Sequence, residues 1–364
     1  VIPAGGYLVV AKDAAALAAK YPGAAIVGNF DGSLNNDNDQ IELRGANGNP
    51  MDFVHYRDNQ PWPQAADGGG SSLELRDPDA DNAEPEAWAA SDEASRSEWQ
   101  TYSLRGVATN PRFSPNIYSF HELRLGLLDA GEVLIDDLQV IENPGGAARP
   151  LLQNGTFANL DHWRLYGTHE ESSVALDGGN PVLHLKADGR MTYLLNLLET
   201  SLKSGGSLVP VTPGTEYEIT FRAKWLSGTP QLRFELYYNK LARLAILEQP
   251  AESGTPGAPN SRLEPNIGPT FAGLRHDPPV PGAGEPITVS VRPDDPDGIA
   301  SIALRYAVNE GAFENAAMAA DADGVWRGEI PGQAPGAIIH FTARRRTPWA
   351  RRHSPRRRDR IRAR

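Results

Sequence analysis

Residues 217–238 read YEITFRAKWLSGTPQLRFELYY. Two runs alternate with a period of two on either side of a Gly-Thr-Pro turn. Tyr217, Ile219, Phe221, Ala223 and Trp225 share one face of the first run, and Leu232, Phe234, Leu236 and Tyr238 share one face of the second. Strict alternation is the mark of a half-buried β-strand, because successive side chains point to opposite sides of the backbone. Between those apolar positions lie Arg222, Lys224, Arg233, Glu235 and Tyr237, so the same strands also predict a polar outer face.

The pattern continues outward. Further short strands are predicted at 99–105, 121–128, 133–141, 163–166, 173–176, 182–186 and 191–198. About ten strands of this kind make a double-sheet jelly roll spanning 91–250. Gly (36) and Pro (30) together are about 18% of the 364 residues, above the ~12% usual for globular chains. They fall between the apolar runs, as all-β domains require. The fold class expected is therefore all-β, with consecutive β-sandwich and jelly-roll domains joined by Pro/Gly-rich linkers.

Upstream, Asp13 is placed to cap a short helix through AAALAAKY, which Pro22 and Gly23 end. A hairpin is predicted about Asn47-Gly48. Downstream, residues 251–267 read as a Pro/Gly/Ser-rich linker. Residues 268–343 alternate again in GEPITVSVRPDDPDGIASIALRYAVN, GVWRGEIPG and AIIHFTA.

Three resemblances organise these segments. IPAGGYLVVAKD (2–13), NDQIELRGANGNPMDFVHYRDNQPWP (38–63), ADGGGSSLELRDPDADN (66–82) and WAAS (88–91) resemble the later half of a bacterial lamin-tail domain. That resemblance implies a partial immunoglobulin-like sandwich over 1–90, without the family's opening strands. NGTF (154–157) with VTPGTEYEITFRAKWLSG (211–228) resembles the opening and middle of galactose-binding-like carbohydrate-binding modules. WQTY, LRLGL and VLIDDLQVI, over 99–141, resemble the end of the same modules. The end precedes the beginning, which implies a circularly permuted module joined through ENPGGAARP; two broken modules side by side are the other reading. Residues 268–343 resemble an immunoglobulin or fibronectin type III-like module. In the large bacterial proteins that this order resembles, lamin-tail domains sit beside spore-coat-protein-H-like (CotH) kinase domains, of which no part is visible here.

The formal charge is −11, but residues 344–364 hold 11 Arg and one Asp, so the first 343 residues carry −21. A body this acidic repels phosphate backbones, and no nucleic-acid partner is expected. The Arg-rich stretch has no apolar pattern and is expected to be disordered. A reading-frame shift would leave such a sequence; a basic arm is the alternative. No run approaches the ~20 apolar residues of a membrane-spanning helix. Cysteine is absent, which removes disulfides and thiol chemistry.

No nucleophile elbow, Walker loop, HExxH helix or dinucleotide glycine pattern occurs, so no enzyme is expected within this sequence and no cofactor is required. For ligand binding, Arg124, Arg222, Arg233, Glu235 and Tyr237 fall on the non-core face and are expected to converge on one concavity. There they would offer planar polar groups and an aromatic ring to a polysaccharide or cell-surface glycan. A salt-bridged solvent face is the alternative. Trp163, Tyr166 and His169 are placed along a loop edge of the same module, although Trp163 and Trp225 read better as core. Asp77, Asp79, Asp81 and Asp294, Asp295, Asp297 read better as turn chemistry than as calcium loops. The carbohydrate-module resemblance implies a structural calcium held by Asp137, with Asp136 beside it. It also implies an extracellular or cell-surface location in bacteria. The functional expectation is a non-catalytic module array that binds glycan through its jelly roll, with a purely structural spacer or protein-binding adhesin segment as the alternative.

Overall fold

The computed structural model describes residues 2–110, 119–189, 195–309, 311–345 and the backbone of 359–362. The chain is all-β, with one short α-helix among the described residues. It forms two compact units, one from the described residues of 1–38, 57–74 and 89–262, the other from those of 39–56, 75–88 and 263–364.

The first unit contains a sandwich with ten principal strands among the described residues, besides the two-residue strand Arg149–Pro150 at an edge. Its strands are β1 (Gln100–Val107), β2 (Glu122–Leu127), β3 (Gly131–Glu142), β4 (Trp163–Tyr166), β5 (Ser173–Asp177), β6 (Asn180–Ala187), β7 (Leu197–Ser201), β8 (Glu216–Gly228), β9 (Gln231–Leu236) and β10 (Leu241–Ile246). One sheet runs β5-β6-β3-β8-β1 and the facing sheet runs β4-β7-β2-β9-β10. The Gly-Thr-Pro turn between β8 and β9 therefore carries the chain from one sheet to the other. Whereas β5 and β10 leave Leu176, Leu244 and Ile246 exposed, most strands turn an apolar alternate into the shared core. Tyr217, Ile219, Phe221, Ala223 and Trp225 from β8 meet Leu232, Phe234 and Leu236 from β9 there, all buried. The Phe221 and Phe234 rings lie 4.6 Å apart.

Segments 97–142 and 151–247 build this one body. Arg149–Pro150 pairs antiparallel with Ile141 and Glu142, and Leu138 N donates to Gly155 O at 2.9 Å. A Cβ on Gly155 would stand 1.9 Å from Leu138 O, a backbone atom fixed by its strand. Gly155→Ala is accordingly expected to destabilise the sandwich by about 1–3 kcal/mol, read from urea unfolding. An unchanged midpoint would show that the two segments do not lie against each other as described.

Around the sandwich, the helix Ala14–Lys20 begins where Asp13 Oδ1 accepts from Ala16 N at 2.9 Å. Residues 251–262 belong to this unit and are held by buried carboxylates, although their composition predicts a free linker. Glu74 accepts from Ser261 N (2.7 Å), Ser261 Oγ (2.6 Å) and Thr255 Oγ1 (3.1 Å), and Glu93 accepts from Gly254 N (2.9 Å). A Pro/Gly-rich segment has many backbone donors outside any sheet, and buried carboxylates satisfy them.

In the second unit two four-stranded sheets face one another. One is built on Thr270–Asp277, Ile287–Asp294 and Trp326–Ile330, the other on Glu314–Ala317, Ile302–Val308 and Ile338–Arg345. Val289, Leu304, Ile330, Ile339 and Phe341 fill the space between. The segments 39–56 and 75–88, grouped by sequence with the N-terminal domain, fall in this unit. The expected disordered stretch 344–364 lies largely outside the described residues. Within it, Arg344 and Arg345 complete a strand, and the backbone of Asp359–Arg362 pairs antiparallel with Ile338–Phe341. Backbone pairing at a sheet edge needs no apolar alternation, which is why the composition does not announce it.

Candidate functional site

The outer face of the β4-β7-β2-β9-β10 sheet carries most of the polar residues singled out above. Register places Arg164 opposite Glu199, Glu199 opposite Arg124, and Arg124 opposite Glu235. Charges of alternating sign thus cross four strands in one row. Glu199 is the hub: Oε2 accepts from Arg124 Nε at 2.6 Å, and Oε1 accepts from Arg164 Nη2 at 2.8 Å. Glu235 Oε2 lies 2.9 Å from Arg233 Nη2, and its Oε1 accepts from Asn239 N at 2.9 Å.

At one end of this row stands an aromatic group. Phe120 and Tyr238 stack with centroids 5.7 Å apart, and Tyr237 meets both edge-on. The Arg124 guanidinium lies 3.6 Å from the Tyr237 ring centroid. That cation covers a face of Tyr237, so Tyr237 is engaged inside the cluster. Tyr238 is 40% exposed and presents the accessible ring. The alternation assigns Tyr238 to the core, but β9 ends at Leu236, and beyond a strand's end the period of two no longer sets direction.

Arg124, Arg233, Glu235 and Tyr237 therefore gather on one face, whereas Arg222 does not. Arg222 belongs to β8, in the opposite sheet, opposite Asp136 and Thr101. Its guanidinium lies 5.0 Å from the Trp99 ring and 3.7 Å from Asp137 Oδ2. Polar positions of facing sheets point away from the common core, so residues of β8 and β9 emerge on opposite sides of the sandwich. The expected single concavity that includes Arg222 is corrected on this ground.

His169 is likewise no loop-edge ligand. It is fully buried, its Nε2 accepts from Leu127 N at 3.0 Å, and Thr168 Oγ1 lies 3.0 Å from its Nδ1. Burial lowers its pKa to about 4, only partly opposed by the charge of Asp188. Trp163 is buried and donates to Asn154 O at 3.2 Å.

Asp136 and Asp137 sit at a β-bulge. The β3–β8 register passes from Gln139↔Thr220 to Asp136↔Arg222, and Asp137 has φ +50°. Asp136 is buried, with Oδ2 accepting from Asn180 Nδ2 and Oδ1 from Asp137 N, both at 2.8 Å. Asp137 turns to solvent beside Arg222. The two carboxylates thus do not converge on one point, and a cation already flanks one of them. Among the described residues, no group of three His, Cys, Asp or Glu side chains is placed to hold a metal.

Sequence reasoning missed Arg164, Glu199, Phe120 and Tyr238. Alternation in LLETS (197–201) places Glu199 opposite Leu198, which marks an outward carboxylate; nothing in the sequence pairs it with Arg124.

No known family matches the sequence, and no curated protein does. Among solved structures, similarity extends to a DUF4785 family protein from Legionella pneumophila, with 9% identity, 74% of this chain and 65% of that one covered, and a TM-score of 0.18. The Escherichia coli adhesin FdeC shares 15% identity over 61% of this chain and 59% of its own, at a TM-score of 0.17. A Corynebacterium diphtheriae protein described as membrane anchored shares 12% over 89% of this chain and 57% of its own, at 0.19. The chain thus spans less than two thirds of the length of each of these structures. Similarity this slight carries no argument about fold or activity, and the reading rests on the site itself.

Proposed function

We propose that this chain is a non-catalytic segment of an extracellular or cell-surface bacterial protein, and that its jelly roll binds glycan on the outer face of the β4-β7-β2-β9-β10 sheet. The observation that carries the reading is the exposed Tyr238 ring, backed by Phe120 and set beside the Arg124–Glu235 row. Sugars present apolar C–H faces that stack on an aromatic ring and hydroxyls that pair with planar polar groups. Both chemistries meet at this end of the sheet. In a glycan-array screen of the full chain, Tyr238→Ala is expected to lower binding at least tenfold with an unchanged unfolding midpoint. Binding that survives the substitution would place the site elsewhere.

A structural spacer or protein-binding segment is the second reading. Its supporting observation is that each of Arg124, Arg164, Arg233, Glu199 and Glu235 has an ion-pair partner within the sheet. A screen in which no glycan binds would select it.

A further inference from the structure

The charges of this face are not equally presented to solvent. The side chains of Arg164 and Arg233 are each 43% exposed, whereas those of Glu199 and Glu235 are 10% and 11% exposed. Arg124, at 14%, is sunk between Glu199 and the Tyr237 ring. Glu122, at 20%, faces His121 3.4 Å away and accepts from His121 N. Both oxygens of Glu199 and both of Glu235 already accept hydrogen bonds or ion pairs. A guanidinium has five N–H donors in a planar fork. Arg164 uses its Nε and Nη2 on Glu199, and Arg233 uses its Nη2 on Asn239 and Glu235. The carboxylates are thus buried and occupied, while donor-bearing cations face outward.

We infer that this face takes an acidic oligosaccharide, one whose uronate carboxylates or sulfate esters are gripped by Arg164 and Arg233. The inference rests on the glycan reading above and narrows it. Guanidinium forks match planar carboxylate and sulfate oxygens in two-point contacts, which hydroxyls do not offer. Arg164 on β4 and Arg233 on β9 lie three strand spacings apart across β7 and β2 and are offset by two residues along the strands, about 16 Å in all. A single sugar ring does not reach both, so the ligand is an oligomer. The rest of the body is strongly acidic and repels polyanions at long range, so the attraction is local and falls with added salt.

The test is titration calorimetry of the full chain with three ligands of matched length: a uronate oligomer, a sulfated neutral oligomer and the unsulfated neutral oligomer. One or both acidic ligands are expected to bind at least tenfold more tightly than the neutral one, and which of them does so identifies the anion. The double substitution Arg164→Gln, Arg233→Gln is expected to remove that preference while lowering the thermal midpoint by no more than a few degrees, and 0.5 M salt (about a threefold rise over physiological strength) to weaken it. Equal affinity for neutral and acidic oligomers, or a preference that survives the double substitution, overturns the inference. If the neutral oligomer alone binds and needs Tyr238, the glycan reading stands and the acidic one falls. If none of the three binds, both fall.

Discussion

Phe234→Ala is expected to destabilise the sandwich by about 3–5 kcal/mol, a large share of a domain's total stability. Phe234 has no exposed surface and lies on the inner face of β9, where its ring meets Phe221 of the opposite sheet at 4.6 Å. Removing the ring takes away buried apolar area and leaves a cavity between two sheets whose backbones are tied by their own ladders. Neither sheet can close the gap without giving up register with its neighbours. Urea unfolding followed by tryptophan fluorescence provides the measurement, with Phe234→Leu expected to lose much less. Arg233→Ala, one residue away on the outer face, is expected to shift stability by no more than about 1 kcal/mol, since its ion pair is half-exposed. Similar losses for Phe234→Ala and Arg233→Ala would mean that the inward and outward faces of β9 are misassigned.

Between pH 7 and pH 4 the same unit is expected to lose about 3 kcal/mol through His169 alone. The native state holds this imidazole neutral, because it is buried and its Nε2 must accept from Leu127 N. Its pKa is therefore about 4 in the folded chain, against 6.5 as the ordinary value. Below pH 6.5 the unfolded chain takes up a proton that the folded chain refuses, so the contribution declines with falling pH until the folded state also protonates near 4. His169→Gln keeps a side-chain acceptor for Leu127 N but cannot titrate. It is expected to be less stable than the parent at pH 7 and to show a flatter loss between pH 6.5 and 4.5. Glu132 does not confuse this window. Its burial would raise its pKa, but the His184 hydrogen bond and the charges of Lys186, His184 and Arg262 bring it to about 2. Its stabilising contribution is accordingly full above the ordinary carboxylate range and is lost as pH falls from about 4.5 to about 2, below most of the His169 window. Parallel pH profiles for parent and His169→Gln would show that His169 does not carry the slope.

The all-β class and the inward face of most strands are legible in the amino-acid sequence alone. In 217–225 and 232–236 the alternation names the core residues, because a period of two is a property of the single extended chain. The helix start at Asp13 was legible for the same reason, since a cap is satisfied within three residues. What no local pattern contains is the sheet to which each strand belongs. Arg222 and Arg233 look equivalent in the sequence, both polar and both at outward positions, yet the turn between β8 and β9 sends them to opposite sides of the sandwich. Arg124, Arg164 and Glu199 are up to 75 residues apart and become neighbours only through strand register. Tyr238 left the core because β9 stops two residues earlier, and 251–262 is held in place because Glu74 and Glu93, far upstream, accept its backbone donors. Alternation reports whether a side chain faces the core, a relation between a residue and its own strand. The composition of a binding face is a relation among several strands, and only their hydrogen-bonded order decides it.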